Sequence, residues 1–338
     1  MDLAGTMTGA APRPSTGPGA PSGRAHTPAP TPRTVSTRAQ HIRCGVFAAF
    51  FAPIALAVLG LAVTDLQATA AVGQPLSSSE GMVGILVAAL LLVLIGVNSE
   101  DSPAGMVVTT AAALVVGGLQ MFGVTPLPGL ALSGVSGADL VTALSWGLYP
   151  LSVLTICAGS TLAMLMGRRQ AGRAADNSRR RPLSHSGERT AVASTSMLLV
   201  AGAATCLVLA APTDTTEVAA HGLPGILALH TPRILPALAA AALLGCVALG
   251  SRWSVMGTQV PAWLLMVLPG FFGVPVWMSL TGRVITPGPS PATAIGLAAP
   301  VVTALGLLLV TTSPGVHWAR RAHPVGGDDD QEPTPPAK

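Results

Sequence analysis

The chain has 338 residues, of which 50% are hydrophobic and only 9% are charged. Soluble globular proteins carry about 25% charged residues, so this composition excludes a soluble fold of this size. It predicts an integral membrane protein. The formal net charge is +4, with Lys338 as the single lysine among the basic residues. The predominance of arginine, alanine, glycine and proline is typical of a GC-rich genome, which favours a bacterial source.

Both ends of the chain are predicted to be disordered and solvated. Residues 1–42 and 322–338 are rich in Pro, Gly and small or polar residues. Such segments contain too little contiguous apolar surface to offset the entropy lost on ordering. They are therefore assigned as an N-terminal and a C-terminal tail.

Eight apolar segments lie between the tails, each long enough or nearly long enough to cross a hydrocarbon layer about 30 Å thick. Spanning segments must satisfy their backbone hydrogen bonds internally, so each is predicted to be a helix. The predicted spans are 44–64, 81–98, 103–124, 144–166, 191–211, 234–250, 254–280 and 291–312. A cleaved signal peptide ending at Ala68-Thr69-Ala70 is the alternative for the first span, but its apolar run exceeds that of a signal core.

The arginines predict the orientation of the chain in the membrane. With eight spans, one side receives both tails, the segment 167–190 and two short turns, which together hold 15 of the 17 arginines. The positive-inside rule makes this side cytoplasmic. The sequence therefore predicts a bacterial plasma-membrane protein with both termini in the cytoplasm.

The two halves of the chain share short matches at a nearly constant spacing of 149–152 residues. The matching pairs are Phe122-Gly123-Val124 with Phe272-Gly273-Val274, Thr64-Asp65 with Thr213-Asp214, Ser99 and Ser102 with Ser251 and Ser254, and Arg168-Arg169 with Arg320-Arg321. Their common order predicts a tandem duplication. The expected fold is thus an all-α integral membrane bundle of eight helices, arranged as two parallel four-helix repeats (4+4). These repeats cover 43–166 and 191–321, with 167–190 as the arginine-rich cytoplasmic linker.

The seventh span contains an unusual density of helix-breaking residues between Pro261 and Pro275. Each proline removes a backbone donor, so the helix is expected to kink or break in its outer half. Interrupted membrane helices can expose backbone groups to a ligand. One interpretation is a binding crevice between the third and seventh spans, with Gln120, Phe122, Gly123, Gln259, Pro269, Gly270, Gly273 and Pro275 as candidate residues. The alternative is a simple kink before the helix exit, with the glutamines bonding between helices.

The arginine cluster in the 167–190 segment predicts contact with anionic lipid headgroups. Its candidate residues are Arg168, Arg169, Arg173, Arg179, Arg180 and Arg181. A docking site for an acidic cytoplasmic protein is the alternative. Nucleic acid is not an expected partner, because no aromatic stacking groups are interleaved with the basic residues.

The sequence predicts no catalytic, cofactor-binding or metal site. Ionisable residues fall at span boundaries, and the four cysteines lie in or beside apolar stretches without a C-x-x-C pair. The outer loop 212–233 carries acidic and histidine residues without a compact ligand pattern. The favoured hypothesis is a non-catalytic scaffold or accessory subunit of a cell-envelope or transport machinery. A passive channel, lipid-handling protein or permease is the second hypothesis, and a membrane enzyme is the third.

Overall fold

The computed structural model is helical throughout the spanning parts of the residues that it describes, which are 37–71, 74, 77–99, 102–121, 149–176, 186–214, 231–281 and 289–321. These ranges contain eight helices. They are α1 Thr37–Ala71, α2 Ser79–Asn98, α3 Ala104–Met121, α4 Tyr149–Asp176, α5 Ser186–Ala210, α6 Thr231–Gly250, α7 Val255–Thr281 and α8 Pro291–Arg321.

Seven of these helices are long and apolar enough to cross a membrane. The exception, α3, is a shorter apolar helix over Ala104–Gly117. Every helix coincides with one predicted span. The prediction of a multi-pass helical membrane protein in a lipid bilayer is therefore confirmed.

Several helices extend beyond the predicted spans. Helix α1 begins at Thr37, inside the predicted tail 1–42, while α4 reaches Asp176 and α5 starts at Ser186, inside the predicted linker. Hydropathy marks only the residues within hydrocarbon, whereas an established helix adds further residues at little cost. The predicted tail segments 1–36 and 322–338 and the linker residues 177–185 lie outside the described residues.

Helix α8 forms the centre of the bundle. In its most apolar stretch 83% of the residues are buried, against 61% or less in the other six long helices. It packs against α1, α2, α4, α5 and α7. Many of its buried residues are small, including Ala294, Ala298 and Ala304, and small side chains allow helix backbones to approach closely in a membrane.

The helices of the two halves pack in matching ways. In the first half α1 packs against α2 and α3, and α3 packs against α4. In the second half α5 packs against α6 and α7, and α7 packs against α8. Across the halves, α4 packs on α6, α8 packs on α2, and α4 meets α8.

Glycines set the closest crossings between the halves. A Cβ added at Gly159 of α4 would lie 2.6 Å from the carbonyl oxygen of Gly245 of α6. A Cβ added at Gly96 of α2 would lie 3.2 Å from the carbonyl oxygen of Thr311 of α8. A side chain at Gly159 would overlap rigid backbone, so this contact requires glycine, whereas the contact at Gly96 is tight but leaves room for a small adjustment.

The four cysteines form no disulfide bond with one another. Cys44 and Cys157 are buried, whereas Cys206 is partly buried and Cys246 is exposed on α6. An apolar sequence context does not distinguish a lipid-facing position from a buried one, because both surroundings are apolar.

Candidate functional site

Helix α7 remains continuous through its glycine- and proline-rich part. It widens into two π-helical segments, Trp263–Val267 and Pro269–Gly273, and then resumes as α-helix to Thr281. The backbone N–H of Leu268 donates to the carbonyl of Trp263, and that of Val274 donates to the carbonyl of Pro269. This five-residue spacing keeps the helix continuous although its prolines have no backbone N–H to donate. The predicted break in the seventh span is therefore not present. Such π turns are frequent at functional sites.

The second π segment lies directly against α8. Gly270 is buried, and a Cβ added there would lie 2.7 Å from the carbonyl oxygen of Ala299. From the other side, a Cβ added at Gly306 of α8 would lie 2.7 Å from the Cβ of Met266. Two glycines on opposite helices therefore hold the wide turns of α7 against the central helix.

An apolar crevice lies beside this contact, with about 420 Å³ of free space counted out to its open side. Its walls come from α1, α2, α7 and α8. The lining residues are Leu66, Ala70, Met82, Gly270, Phe271, Val274, Pro275, Met278, Gly296, Ala299, Pro300 and Thr303. The hydroxyl of Thr303 donates to the Ala299 carbonyl at 2.9 Å, so the polar side chain in the lining is already satisfied.

The predicted crevice residues are distributed unevenly around this site. Gly270 and Pro275 line the crevice, while Pro269 and Gly273 belong to the same π segment without lining it. Gln259 is partly buried near the start of α7, more than two turns earlier. Gln120 lies near the end of α3, and its side chain is outside the described part of the structure. Phe122 and Gly123 lie outside the described residues. Among the described lining residues, those of the first half belong to α1 and α2.

Gln67, whose side chain forms a hydrogen bond between helices next to the crevice, was not identified from the sequence. Gln67 is 5% exposed, and its Nε2 donates to the carbonyl oxygen of Leu297 of α8 at 2.9 Å. It lies three residues beyond the predicted first span, 44–64, and was not among the candidate residues. The nearby hydrogen bond from the Ser78 hydroxyl to the Asp65 carboxylate links α1 to the N-terminus of α2.

Hydroxyl groups connect the helices where the two halves meet. Ser160 Oγ of α4 donates to Thr312 Oγ1 of α8 at 3.1 Å, and Thr155 Oγ1 donates to the carbonyl of Ala241 of α6 at 2.7 Å. The side chains around these bonds are fully buried and apolar, as at Ile156, Leu305 and Leu308. The contact of α4 with α6 and α8 is thus filled, and the hydroxyls of Thr155, Ser160 and Thr312 are paired.

Of the predicted lipid-headgroup residues, the structure describes the side chains of Arg168 and Arg169. Arg168 is partly buried and Arg169 is exposed, both near the end of α4. Arg173 continues α4 with its side chain outside the described part, and Arg179, Arg180 and Arg181 lie outside the described residues. Arg252, in the turn between α6 and α7, contacts Met166 of α4; it was not among the predicted lipid-headgroup residues.

Within the described ranges, no group of three or more His, Cys, Asp or Glu side chains is arranged to hold a metal ion. Most of the outer loop 212–233 lies outside these ranges. Comparison with protein-family models, with curated proteins and with solved structures finds no match for this chain.

Proposed function

We propose that this protein is a non-catalytic membrane scaffold or accessory subunit that serves a larger membrane assembly. The observation that carries the proposal is the packed contact of α4 with α6 and α8. There, glycine-mediated backbone contacts and paired hydroxyls such as Ser160 and Thr312 leave the centre of the bundle filled. A rigid bundle with a packed centre suits a role in holding other membrane proteins.

Purification tests this function directly. The chain carrying a C-terminal tag is produced at its native level, cross-linked in intact cells and extracted in a mild detergent. We expect a complex larger than the 33.8 kDa chain, with another membrane protein present at a fixed ratio in repeated preparations. An untagged strain and a tagged unrelated multi-pass protein are the controls. Recovery of the chain alone under these conditions would count against a scaffold.

We further propose that the eight helices form two parallel repeats, a finer arrangement that the packing supports. The crossings of α4 on α6 and of α8 on α2 are reciprocal, as in a two-fold interface. Ser160 and Thr312 bond to each other and are 152 residues apart, which is also the spacing between Ser99 and Ser251. Both of these serines are fully buried and bond a carbonyl of the preceding helix.

Parallel repeats require both tails and the linker to lie on the same, cytoplasmic side. Four single-cysteine variants are made from a chain that lacks the four native cysteines. They are Ser15→Cys in the N-terminal tail, Ser184→Cys in the linker, Thr334→Cys in the C-terminal tail and Thr286→Cys between α7 and α8 in the sequence. A membrane-impermeant maleimide added to intact cells is expected to label only Thr286→Cys, and all four after permeabilisation. Labelling of Ser184→Cys in intact cells would contradict this topology.

A lipid-handling role is the second candidate function, favoured by the apolar crevice. Apart from Thr303, the crevice is lined by apolar residues, and such contacts suit an acyl chain. In the same purification, a phospholipid bound at a fixed ratio would favour this role. Gly296→Leu fills the crevice and should remove that lipid, whereas Gly273→Leu, on an exposed position outside the lining, should leave it bound.

A further inference from the structure

The guanidinium of Arg252 is held in place without an oxygen acceptor among the described residues. It lies 3.7 Å from the centroid of the Trp253 ring, a stacked cation–π arrangement. Its Nη1 is 3.0 Å from the sulfur of Met166 in α4, and a thioether is only a weak acceptor. Its Nε is buried and has no hydrogen-bond partner there. The group is therefore oriented but poorly satisfied.

The surroundings of Arg252 add positive charge. Arg169 follows Met166 by three residues, so it lies on the same face of α4 as the sulfur that Arg252 contacts. Arg169 is exposed near the helix end. Arg169 and Arg252 thus lie on neighbouring parts of the bundle, one near the end of α4 and the other in the turn from α6 to α7 that contacts α4.

The matching turn of the first half has the opposite charge in the sequence. Ser99-Glu100-Asp101-Ser102 follows α2, which packs on α8, and α8 ends in Arg320-Arg321. Ser251-Arg252-Trp253-Ser254 follows α6, which packs on α4, and α4 carries Arg168-Arg169 near its end. The first turn therefore carries two acidic residues in the sequence, whereas the second carries an arginine. An anion bound from outside the chain would balance the positive charge of Arg252 and Arg169.

We propose that Arg252, Trp253 and Arg169 form a binding site for the phosphate of an anionic phospholipid. Guanidinium groups bind phosphate oxygens through paired donors, and stacking on Trp253 fixes the plane of the Arg252 donors. The apolar surface beside the site indicates a lipid. Trp253 is 55% exposed and Met256 is 70% exposed, so an acyl chain attached to the phosphate would cover them.

Lipid binding to the purified full-length protein tests the site. Native mass spectrometry measures the dissociation constants of dioleoyl-phosphatidylglycerol and of phosphatidylcholine with the same chains. Wild-type protein is expected to prefer phosphatidylglycerol. Arg252→Gln should weaken phosphatidylglycerol binding about fivefold to tenfold, as expected for losing one arginine near a lipid headgroup, without changing phosphatidylcholine binding. Arg252→Lys keeps the charge but not the planar donors. Its affinity for phosphatidylglycerol should therefore lie between those of wild type and Arg252→Gln.

Arg43→Gln is the matched control, because Arg43 is exposed on α1. Its affinity for phosphatidylglycerol should stay within about twofold of wild type. Equal affinities for Arg252→Gln and wild type would overturn the proposal. Inorganic phosphate distinguishes the source of the anion, since displacement of phosphatidylglycerol by millimolar phosphate would assign the site to the free ion. None of these outcomes depends on whether the protein is a scaffold.

Discussion

Gly159→Ala is expected to destabilise the bundle more than any other single-methyl addition at the crossing of α4 and α6. The new Cβ would lie 2.6 Å from the carbonyl oxygen of Gly245, 3.0 Å from the Cβ of Ala248 and 3.2 Å from the backbone nitrogen of Leu249. These atoms belong to the backbone or lie next to it, so they cannot rotate away. Overpacking of this kind costs about 1–3 kcal/mol, which corresponds to a melting temperature lower by about 4–8 °C for a loss near 2 kcal/mol.

The measurement is the fraction of purified protein that stays monodisperse in detergent after heating. Gly45→Ala is the control, because its Cβ would lie 3.9 Å from Ala104 and Val108 of α3, an ordinary contact distance. That variant should melt within about 2 °C of wild type, since a methyl group there displaces no neighbour. If both variants melted like wild type, the close crossing of α4 and α6 would be wrong.

Gly270→Ala is expected to have a similarly large effect by separating α7 from the central helix. Its Cβ would lie 2.7 Å from the carbonyl oxygen of Ala299 and 3.2 Å from the backbone nitrogen of Thr303. Either α7 moves outward or α8 bends, at a cost of about 1–3 kcal/mol. The melting temperature should again fall by about 4–8 °C. Gly306→Ala should act in the same direction, because it meets Met266 and Val267 from the opposite helix.

Gly273→Ala is the matched control within the same π segment. Its Cβ would have its nearest neighbours at 3.8 Å, and the position is exposed. Replacing glycine by alanine in a helix is favourable where space allows, so this variant should melt at the wild-type temperature or slightly above it. A loss for Gly273→Ala equal to that for Gly270→Ala would point to a general sensitivity of the π segment and not to contact with α8.

The candidate site was only partly predictable from sequence. The prolines and glycines of the seventh span marked an irregular helix, and Gly270 and Pro275 do line the crevice. The other walls come from α1, α2 and α8, which are distant in sequence from α7. Gln67 was missed because the predicted first span ended at residue 64, whereas α1 continues to Ala71. Its partner, the Leu297 carbonyl, is 230 residues away, and no local pattern identifies such a pair.

Arg252, too, could not be identified from the sequence alone. The sequence predicts an arginine-rich side of the membrane, and the predicted lipid contacts are the arginines that cluster along the chain. Arg252 stands apart from that cluster. Only the packing of α6 on α4 brings it to Met166, and only the geometry of the turn stacks it on Trp253.

The sequence by itself determined that the chain is a multi-pass helical membrane protein, because a segment that crosses hydrocarbon needs about 20 apolar residues with their backbone hydrogen bonds paired internally. Tertiary structure alone decided which face of each helix is buried. On α2, Leu90 is 61% exposed while Leu92 is 3% exposed, although both are leucine. Lipid tails and the protein interior are equally apolar, so hydrophobicity gives no preference between them. The choice depends on shape, through glycines that allow close approach and hydroxyls that find partners on another helix.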